Sequence, residues 1–169
     1  MKKIALISDT HSFLGDDVVE HLQDVDEIWH SGDLGDPELI NQLKAFGKPL
    51  RLVYGNIDGT EVRNQFPLND EWVCEGVKVF MTHIGGYPGR YTKRVYALLK
   101  RSQPDLYICG HSHICKVIKD KQMNLIHMNP GACGIEGFHQ IRTMLLFDCN
   151  NGKVENLRVV ELGPKNVRQ

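Results

Sequence analysis

Seven side chains with metal-binding atoms follow the ends of five short apolar segments of the chain. They are two aspartates, one asparagine and four histidines: Asp9, His11, Asp33, Asn56, His83, His111 and His113. Nitrogen and carboxylate ligands without a cysteine cluster suit borderline divalent ions such as Mn²⁺, Fe²⁺, Zn²⁺, Co²⁺ or Ni²⁺. Seven ligands are too many for one tetrahedral ion, but they are enough for two ions about 3.5–4 Å apart with one bridging carboxylate. The residue types therefore indicate a two-metal site of the kind that cleaves phosphate esters.

The apolar segments that precede these residues are predicted to be β-strands, because they are short and rich in branched side chains. They cover residues 3–8, 27–30, 49–54, 77–81 and 106–109. Gly32, Gly55 and Gly110 come directly before three of the candidate ligands, where tight turns and close backbone approach are needed. Functional residues gather at the carboxyl ends of strands in α/β sheets, so we expect all seven side chains to lie together.

The other segments predict the rest of the architecture. Helices are expected at residues 17–23, at residues 37–47 with Asp36 as the N-cap, and at residues 91–102. A strand at residues 72–74 should pair with residues 77–81 as a hairpin, and strands follow at residues 115–118, 124–128, 143–147 and 154–162. Alternating strands and helices followed by consecutive strands predict an α/β fold with two mixed sheets packed face to face and helices outside. We expect one domain over residues 1–169, with a loose tail at 163–169.

Composition excludes several classes of protein. With 20 basic and 21 acidic residues the formal net charge is −1, so no overall positive field favours stable nucleic-acid binding. The longest apolar run, residues 95–99, is far shorter than the ~20 residues of a membrane span, and the apolar stretch after Lys3 is too short for a signal peptide. Five cysteines without framework spacing suggest reduced thiols and a cytoplasmic protein.

The order of the motifs carries a family resemblance. Asp9-x-His11, Gly32-Asp33, Gly55-Asn56, His83 and Gly110-His111-x-His113 together resemble the calcineurin-like metallophosphoesterase superfamily over residues 9–113. The spacing, with the turn Asn129-Pro130-Gly131, is most similar to the small single-domain YfcE-type phosphodiesterases. The resemblance implies a four-layer α/β/β/α sandwich of two mixed β-sheets flanked by helices.

The resemblance also implies two divalent metal ions, with Mn²⁺ favoured and Fe²⁺, Zn²⁺, Ni²⁺ or Co²⁺ as alternatives. One ion would lie among Asp9, His11, Asp33 and His113, and the other among Asp33, Asn56, His83 and His111, so that Asp33 bridges them. A hydroxide between the ions would attack phosphorus of a small phosphodiester in line, with Asp33, Asn56 and His83 as catalytic residues.

Two departures from the family pattern concern the general acid. The chain has Thr82-His83-Ile84-Gly85 where the branch has a second histidine, and Ile57 follows Asn56 where many members have a histidine. The proton for the leaving group could then come from Asp58, from His113 or from water, and substrates with good leaving groups should be favoured.

Several alternatives remain open at this point. The same metals could serve a phosphomonoesterase, or the chain could be a non-catalytic protein scaffold like the retromer subunit of this superfamily. A structural zinc site at Cys109, His111, His113 and Cys115 is a weaker hypothesis, because it leaves the other candidate ligands without a role.

Four further expectations concern residues near the site and the partners of the chain. Tyr87 and Arg90 could form a rim that contacts the substrate, or a solvent-facing turn. His30 is expected to be a packed histidine rather than one that orients a metal ligand, while His21, His127 and His139 receive no role. The expected partner is a small phosphoester, with self-association left open.

Overall fold

Ten β-strands and four α-helices make up the fold in the computed structural model, which describes residues 1–166. The strands are β1 (Lys2–Ile7), β2 (Glu27–His30), β3 (Leu50–Leu52), β4 (Asn69–Cys74), β5 (Val77–Thr82), β6 (Leu106–Ile108), β7 (Cys115–Asp120), β8 (Leu125–Pro130), β9 (Ile141–Asn150) and β10 (Lys153–Pro164). The helices are α1 (Asp16–Gln23), α2 (Glu38–Lys44), α3 (Thr60–Gln65) and α4 (Lys93–Ser102). Over the described residues, no helix is long and apolar enough to cross a membrane.

The strands form two five-stranded mixed sheets. The first has the order β10-β9-β1-β2-β3, in which β1, β2 and β3 are parallel and β9 runs antiparallel to both β1 and β10. The second has the order β4-β5-β6-β8-β7, in which β5, β6 and β8 are parallel. The carboxyl ends of the parallel strands in each sheet therefore lie at one edge.

Three clusters of buried side chains separate four layers. One cluster joins the first sheet to α1, α2 and α3, through residues such as Val18, Leu43 and Val62. The second fills the space between the two sheets and includes Trp29, whose ring makes edge contacts with Trp72 and Phe147 at 4.9 and 5.5 Å. The third packs α4 against the second sheet. The layers follow the order helix, sheet, sheet, helix, and the predicted α/β/β/α sandwich is confirmed.

Several predicted boundaries were wrong by a few residues. Helix α2 begins one residue later than expected, with Pro37 as its N-cap, although the Asp36 carboxylate still accepts from the Glu38 N–H at 2.9 Å. Strands β9 and β10 are longer because their long hairpin continues beyond the apolar stretch, with register shifts that absorb extra residues in β10. Gly163 and Pro164 pair with β9 and are not a loose tail, while residues 167–169 of that predicted tail lie outside the described residues.

Helix α3 was not predicted from the sequence. It has six residues, and Val62 is the only buried one among them, so it lacks the apolar stripe by which longer helices are recognised. Arg63 in this helix donates from Nε to the carbonyl oxygen of Asp58 at 2.6 Å. The helix therefore anchors the loop that carries Asn56.

Candidate metal centre

The loops after β1, β2, β3, β5 and β6 bring all seven candidate ligands to one edge of the sandwich. Backbone hydrogen bonds connect the loops: the Asp9 N–H donates to the Gly32 carbonyl at 2.9 Å, and the His11 N–H donates to the Asp33 carbonyl at 3.1 Å. In the second sheet the Gly110 N–H donates to the His83 carbonyl at 3.0 Å. The strand-end argument from the sequence therefore places these residues correctly.

The ligand atoms form two adjacent groups, each drawn from both sheets. In the first, Nε2 of His113 lies 3.1 Å from Oδ1 of Asp9, and His11 completes the group. In the second, Nε2 of His83 lies 3.2 Å from Oδ2 of Asp33, and His111 completes the group. Ligands about 2.1 Å from a common ion lie roughly 3.0–3.4 Å from one another, so these separations suit metal coordination.

Asp33 and Asn56 extend the two groups. Oδ2 of Asp33 lies 3.6 Å from Nε2 of His11 as well as close to His83, so its carboxylate stands between the groups as a bridging ligand would. Oδ1 of Asn56 lies 3.0 Å from Nδ1 of His111, which places the amide beside the second group.

Buried polar atoms without partners provide a test of whether these residues suit metal ions. Oδ1 of Asp9, Nε2 of His11 and Nε2 of His83 are buried and make no hydrogen bond to the described chain. Both imidazole nitrogens lie 3.9 Å from that Asp9 oxygen, so the three atoms converge on one space. Buried polar atoms in native proteins nearly always have partners. Carboxylate oxygens and neutral imidazole nitrogens are ligands of borderline divalent cations, and the residues therefore fit the two metal ions that the motifs imply.

The backbone around the ligands is held in an uncommon conformation. Five of the candidate ligands have positive φ angles: Asp9 at 53°, His11 at 45°, Asp33 at 55°, His111 at 68° and His113 at 58°. Aspartate and histidine visit this left-handed region more readily than most residues, yet such positions cost of order 1–3 kcal/mol each. The surrounding hydrogen bonds must therefore hold these loops in place.

Neighbouring groups orient the ligand side chains. Nδ1 of His83 lies 2.8 Å from the Ser31 carbonyl oxygen, which directs its Nε2 towards Asp33. Oδ2 of Asp9 accepts from the Ser8 hydroxyl at 2.6 Å and from the His111 N–H at 3.2 Å, so only Oδ1 is left for a cation. Such outer partners fix the orientation of ligands and raise their affinity for metals.

The three glycines that precede ligands allow close packing at the site. A Cβ at Gly32 would lie 2.6 Å from Nδ1 of His83, and one at Gly110 would collide with the Ser8 hydroxyl. At Gly55 it would collide with Oδ1 of Asp33. From the sequence, we expected glycine at these positions because the backbone approaches other groups closely. The structure agrees with this reason.

The charges of the site reinforce one another. Burial opposes ionisation of Asp33, but His83 and the Ile57 N–H that donates to its Oδ1 lower the pKa of this carboxyl group. Burial alone would lower the pKa of His83, yet Asp33 and Asp9 raise it. The Asp33 carboxyl group is therefore ionised near neutral pH, and its negative charge attracts cations.

His30 lies beneath the ligands as a packed, fully satisfied histidine, as the sequence analysis favoured. Its Nδ1 accepts from the Gly32 N–H at 3.1 Å, and its Nε2 lies 3.0 Å from the Thr10 hydroxyl. Burial lowers the pKa of this imidazole to about 4, so it stays neutral and supports the loop that carries Asp33.

His139, to which the sequence analysis gave no role, contacts a candidate ligand directly. Its Nε2 lies 3.0 Å from the Gly134 carbonyl oxygen and must donate there, which leaves Nδ1 as an acceptor. That Nδ1 lies 3.1 Å from Nδ1 of His113, which therefore carries a hydrogen and leaves the Nε2 lone pair facing Asp9. In the sequence, His139 is marked only by two nearby glycines, Gly134 and Gly137. This spacing belongs to no recognised motif, so the sequence could not identify the contact with His113.

The structure rules out two of the alternatives that the sequence left open. Asp58 cannot deliver a proton to a leaving group, because it is buried and its two carboxylate oxygens accept from the Gly35 and Gly55 N–H groups at 2.9 and 2.7 Å. The structural zinc site, which the sequence already disfavoured, is the second, because neither Cys109 nor Cys115 joins a group of convergent ligand atoms within residues 1–166.

The predicted rim agrees only in part with the structure. Tyr87 lies in the wall of a groove of about 210 Å³ beside His111, with Lys116 3.8 Å above its ring. Arg90 is exposed, and its backbone N–H closes a turn to the Tyr87 carbonyl at 2.7 Å. The arginines beside the ligands are instead Arg63 and Arg94, which the sequence analysis missed because neither belongs to a motif.

Comparison with known proteins is consistent with this geometry. The family model described as the calcineurin-like phosphoesterase superfamily domain matches residues 1–152. A probable metallophosphoesterase of Methanothermobacter thermautotrophicus is 31% identical over 137 residues, which are 76% of this chain and 76% of that protein.

Two solved structures share the fold. A novel archaeal phosphodiesterase aligns with a TM-score of 0.75 and 22% identity over 95% of this chain and 99% of that one. Vps29 of Entamoeba histolytica complexed with Zn²⁺ aligns with a TM-score of 0.70 and 15% identity over 94% and 98% of the two chains.

Proposed function

Because this chain belongs to the calcineurin-like phosphoesterase superfamily, we propose that it is a metal-dependent phosphodiesterase that hydrolyses a small phosphodiester. The observation that carries the proposal is the convergence of three buried atoms without partners on one space, from Asp9, His11 and His83. Two carboxylates and four imidazoles around that space form the ligand set of a phosphoester-cleaving metal pair.

Each residue of the set has a distinct role in this proposal. Asp9, His11 and His113 hold one divalent ion, and Asp33 reaches it from the neighbouring group. The residues assigned to the second ion are Asp33, Asn56, His83 and His111. We assign Mn²⁺ as the favoured ion. When bound, the metals lower the pKa of a water molecule and neutralise charge that develops on the phosphoryl oxygens.

The protein itself orients the substrate and keeps the ligands in the correct protonation state. The Ser31 carbonyl and His139 each occupy the far nitrogen of a ligand imidazole, so Nε2 of His83 and of His113 remain directed into the site. A groove lies beside Asn56 and His83, and among the described residues no acidic side chain in its wall replaces Asp58 as a proton donor. His113 is assigned to a metal ion in this proposal, so water is left to protonate the leaving group. This favours esters of acidic alcohols and phenols.

The shape around the ligands supports the proposed preference for a diester. One groove borders His83 and Asn56, another borders His111 and Ser112, and Ile84 stands between them in the walls of both. A phosphodiester carries a substituent on each side of phosphorus, whereas a monoester would fill one groove and leave the other to solvent. The cysteines are free thiols, as is typical of cytoplasmic proteins, and we therefore place the substrate in the cytoplasm.

Hydrolysis of two matched chromogenic esters tests the proposal. Purified protein is stripped of metal, reloaded with Mn²⁺, and assayed with bis(4-nitrophenyl) phosphate and with 4-nitrophenyl phosphate. We expect the diester to be preferred, and we expect Asp33→Ala and His83→Ala to lower turnover by about 100-fold or more, since even outer partners of metal ligands change activity by 10–100-fold. His21→Ala, a histidine on α1 outside both ligand groups, is the matched control and should retain activity.

A non-catalytic role as a protein scaffold is the second candidate. The similarity to Vps29 favours it, as does Phe138, whose side chain is fully exposed in the loop that carries His139. Metal binding alone does not separate the candidates, because the Vps29 structure is itself a Zn²⁺ complex. Metal-loaded protein that turns over neither ester would contradict the phosphodiesterase proposal and support the scaffold.

A further inference from the structure

A groove of about 490 Å³ opens directly beside two of the candidate ligands, His83 and Asn56. The other residues in its wall are Tyr54, Gly55, Arg63, Leu68, Ile84, Thr92 and Arg94. A ligand whose phosphoryl group sits at the metal centre would therefore extend a substituent into this groove.

The groove carries positive charge that no carboxylate neutralises. Neither Arg63 nor Arg94 forms an ion pair within residues 1–166, and no acidic residue lines the groove. By contrast, Arg51, Arg101 and Arg142 each pair with a carboxylate. An anionic group would therefore be attracted to this side of the metal centre.

Both guanidinium groups are held in place by neutral acceptors. Arg63 donates through Nε and Nη2 to the carbonyl oxygens of Asp58, Gly55 and Asn56, and Nη1 has no partner in the described chain. Arg94 donates through Nη1 to the Asn69 side chain at 2.7 Å, and through Nη2 to the Thr82 hydroxyl at 3.1 Å and the Ile84 carbonyl at 3.0 Å. Fixed charges of this kind need little reorganisation when a ligand binds.

The rest of the wall is apolar and includes a flat aromatic surface. Leu68 is 41% exposed and Ile84 is 39% exposed, so both offer apolar surface to the groove. The guanidinium carbon of Arg63 lies over the Tyr54 ring, 4.8 Å from the ring centroid, so a planar cation stacked on an aromatic ring forms part of the wall. Planar apolar groups pack well on such surfaces, and arginine favours anions through its forked donors.

We propose that this groove binds one ester substituent of the substrate, and that the preferred substituent combines a flat apolar ring with an additional anionic group. The inference rests on the proposed phosphodiesterase function, because the phosphoryl group is placed at the metal centre. A nucleotide that carries a second phosphate belongs to this chemical class, and so does an aryl ester with a carboxylate.

Binding of two product analogues tests the groove without turnover. Phenyl phosphate and 4-carboxyphenyl phosphate share the phosphoryl group and the ring and differ only in the second anion. Calorimetric titration of Mn²⁺-loaded protein should give about tenfold tighter binding of the carboxylate compound, which corresponds to about 1.4 kcal/mol. The ratio should shrink at high ionic strength, since exposed charges are screened.

Variants in the same helix assign the effect to the groove. Arg94→Met should bring the affinity ratio close to one, whereas Arg101→Met, which removes an exposed arginine paired with Glu71 outside the groove, should leave it unchanged. The comparison of adenosine 3′,5′-bisphosphate with adenosine 5′-monophosphate extends the test to nucleotides.

The outcomes separate this inference from the proposed function. Equal affinity of the two aryl compounds for the wild-type protein would overturn the groove proposal, even if the diester is hydrolysed. A tenfold ratio in a protein that hydrolyses no ester would refute the phosphodiesterase function but retain the anion-binding groove. Should Arg94→Met fail to fold, the ratio in the wild-type protein and its salt dependence still decide the question.

Discussion

Replacement of Gly55 by alanine should displace the bridging carboxylate without removing any ligand. A Cβ at this position would lie 2.8 Å from Cγ of Asp33 and closer still to its Oδ1 and backbone nitrogen, whereas ordinary contacts begin at 3.4 Å. The shortfall at Cγ alone is about 0.6 Å, so the carboxylate would have to move by at least that much. This exceeds the roughly 0.2 Å within which metal–ligand distances are held. A misplacement of about 1 Å in an active site can cost 100-fold in rate.

We therefore expect Gly55→Ala to lower the affinity for Mn²⁺, and the rate of diester hydrolysis, each by about 100-fold. The metal affinity is measured by calorimetric titration and the rate with bis(4-nitrophenyl) phosphate. Overpacking should also lower the free energy of unfolding by about 1–3 kcal/mol, so thermal melting in EDTA is needed to show that the variant is folded.

Gly59→Ala is the matched control, four residues further along the same loop. A Cβ there meets no atom within 4 Å, and the backbone φ of −78° and ψ of −179° are open to alanine. A folded Gly55→Ala protein that binds two ions as tightly as the wild type would refute the reasoning. It would mean that Asp33 does not serve as a ligand from this position.

Three further predictions concern residues around the site and in the fold. His139→Ala should weaken one of two calorimetrically resolved Mn²⁺ sites by about 10–100-fold, because Nδ1 of His113 loses its acceptor, and unchanged affinities would contradict this role. The pKa of His127 is lowered by burial to about 4, so the folded state resists protonation and loses stability as the pH falls from about 6.5 to 4, by roughly 3 kcal/mol at most. His127→Phe should flatten that decline in urea titrations with EDTA present, and an equally steep decline would count against it. Arg142→Met breaks two hydrogen bonds to the Asp17 carboxylate and should lower the free energy of unfolding by about 2 kcal/mol, seen as a fall of roughly 4–8 °C in Tm.

The sequence predicted the layers and the convergence of the candidate ligands because both depend on local patterns. Short apolar segments mark the strands, and parallel strands place their following residues at a common edge. Asp9, Asp33 and His83 could therefore be assigned to one site without any knowledge of distances.

The parts that sequence reasoning missed depend on contacts between distant segments. Helix α3 has a single buried residue, Val62, and is stabilised by the loop that it anchors rather than by an apolar face. His139 acts through a hydrogen bond to a residue 26 positions away, and Arg63 and Arg94 acquire their place only when α3 and α4 pack. Asp58 was a candidate proton donor for the leaving group, because the sequence does not reveal that the Gly35 and Gly55 N–H groups donate to its carboxylate.

Each group of ligands takes residues from both sheets, and this has a mechanical consequence. Asp9 and His113 follow strands of opposite sheets, as do Asp33 and His83, so a small slide of one sheet over the other alters the ligand spacings in both groups that cross between the sheets. The buried contact of Trp29 with Trp72 spans the same two sheets and sets their alignment. The packing between the sheets thus fixes the distances between the metal ligands. Bound ions would in turn hold the two sheets in their alignment.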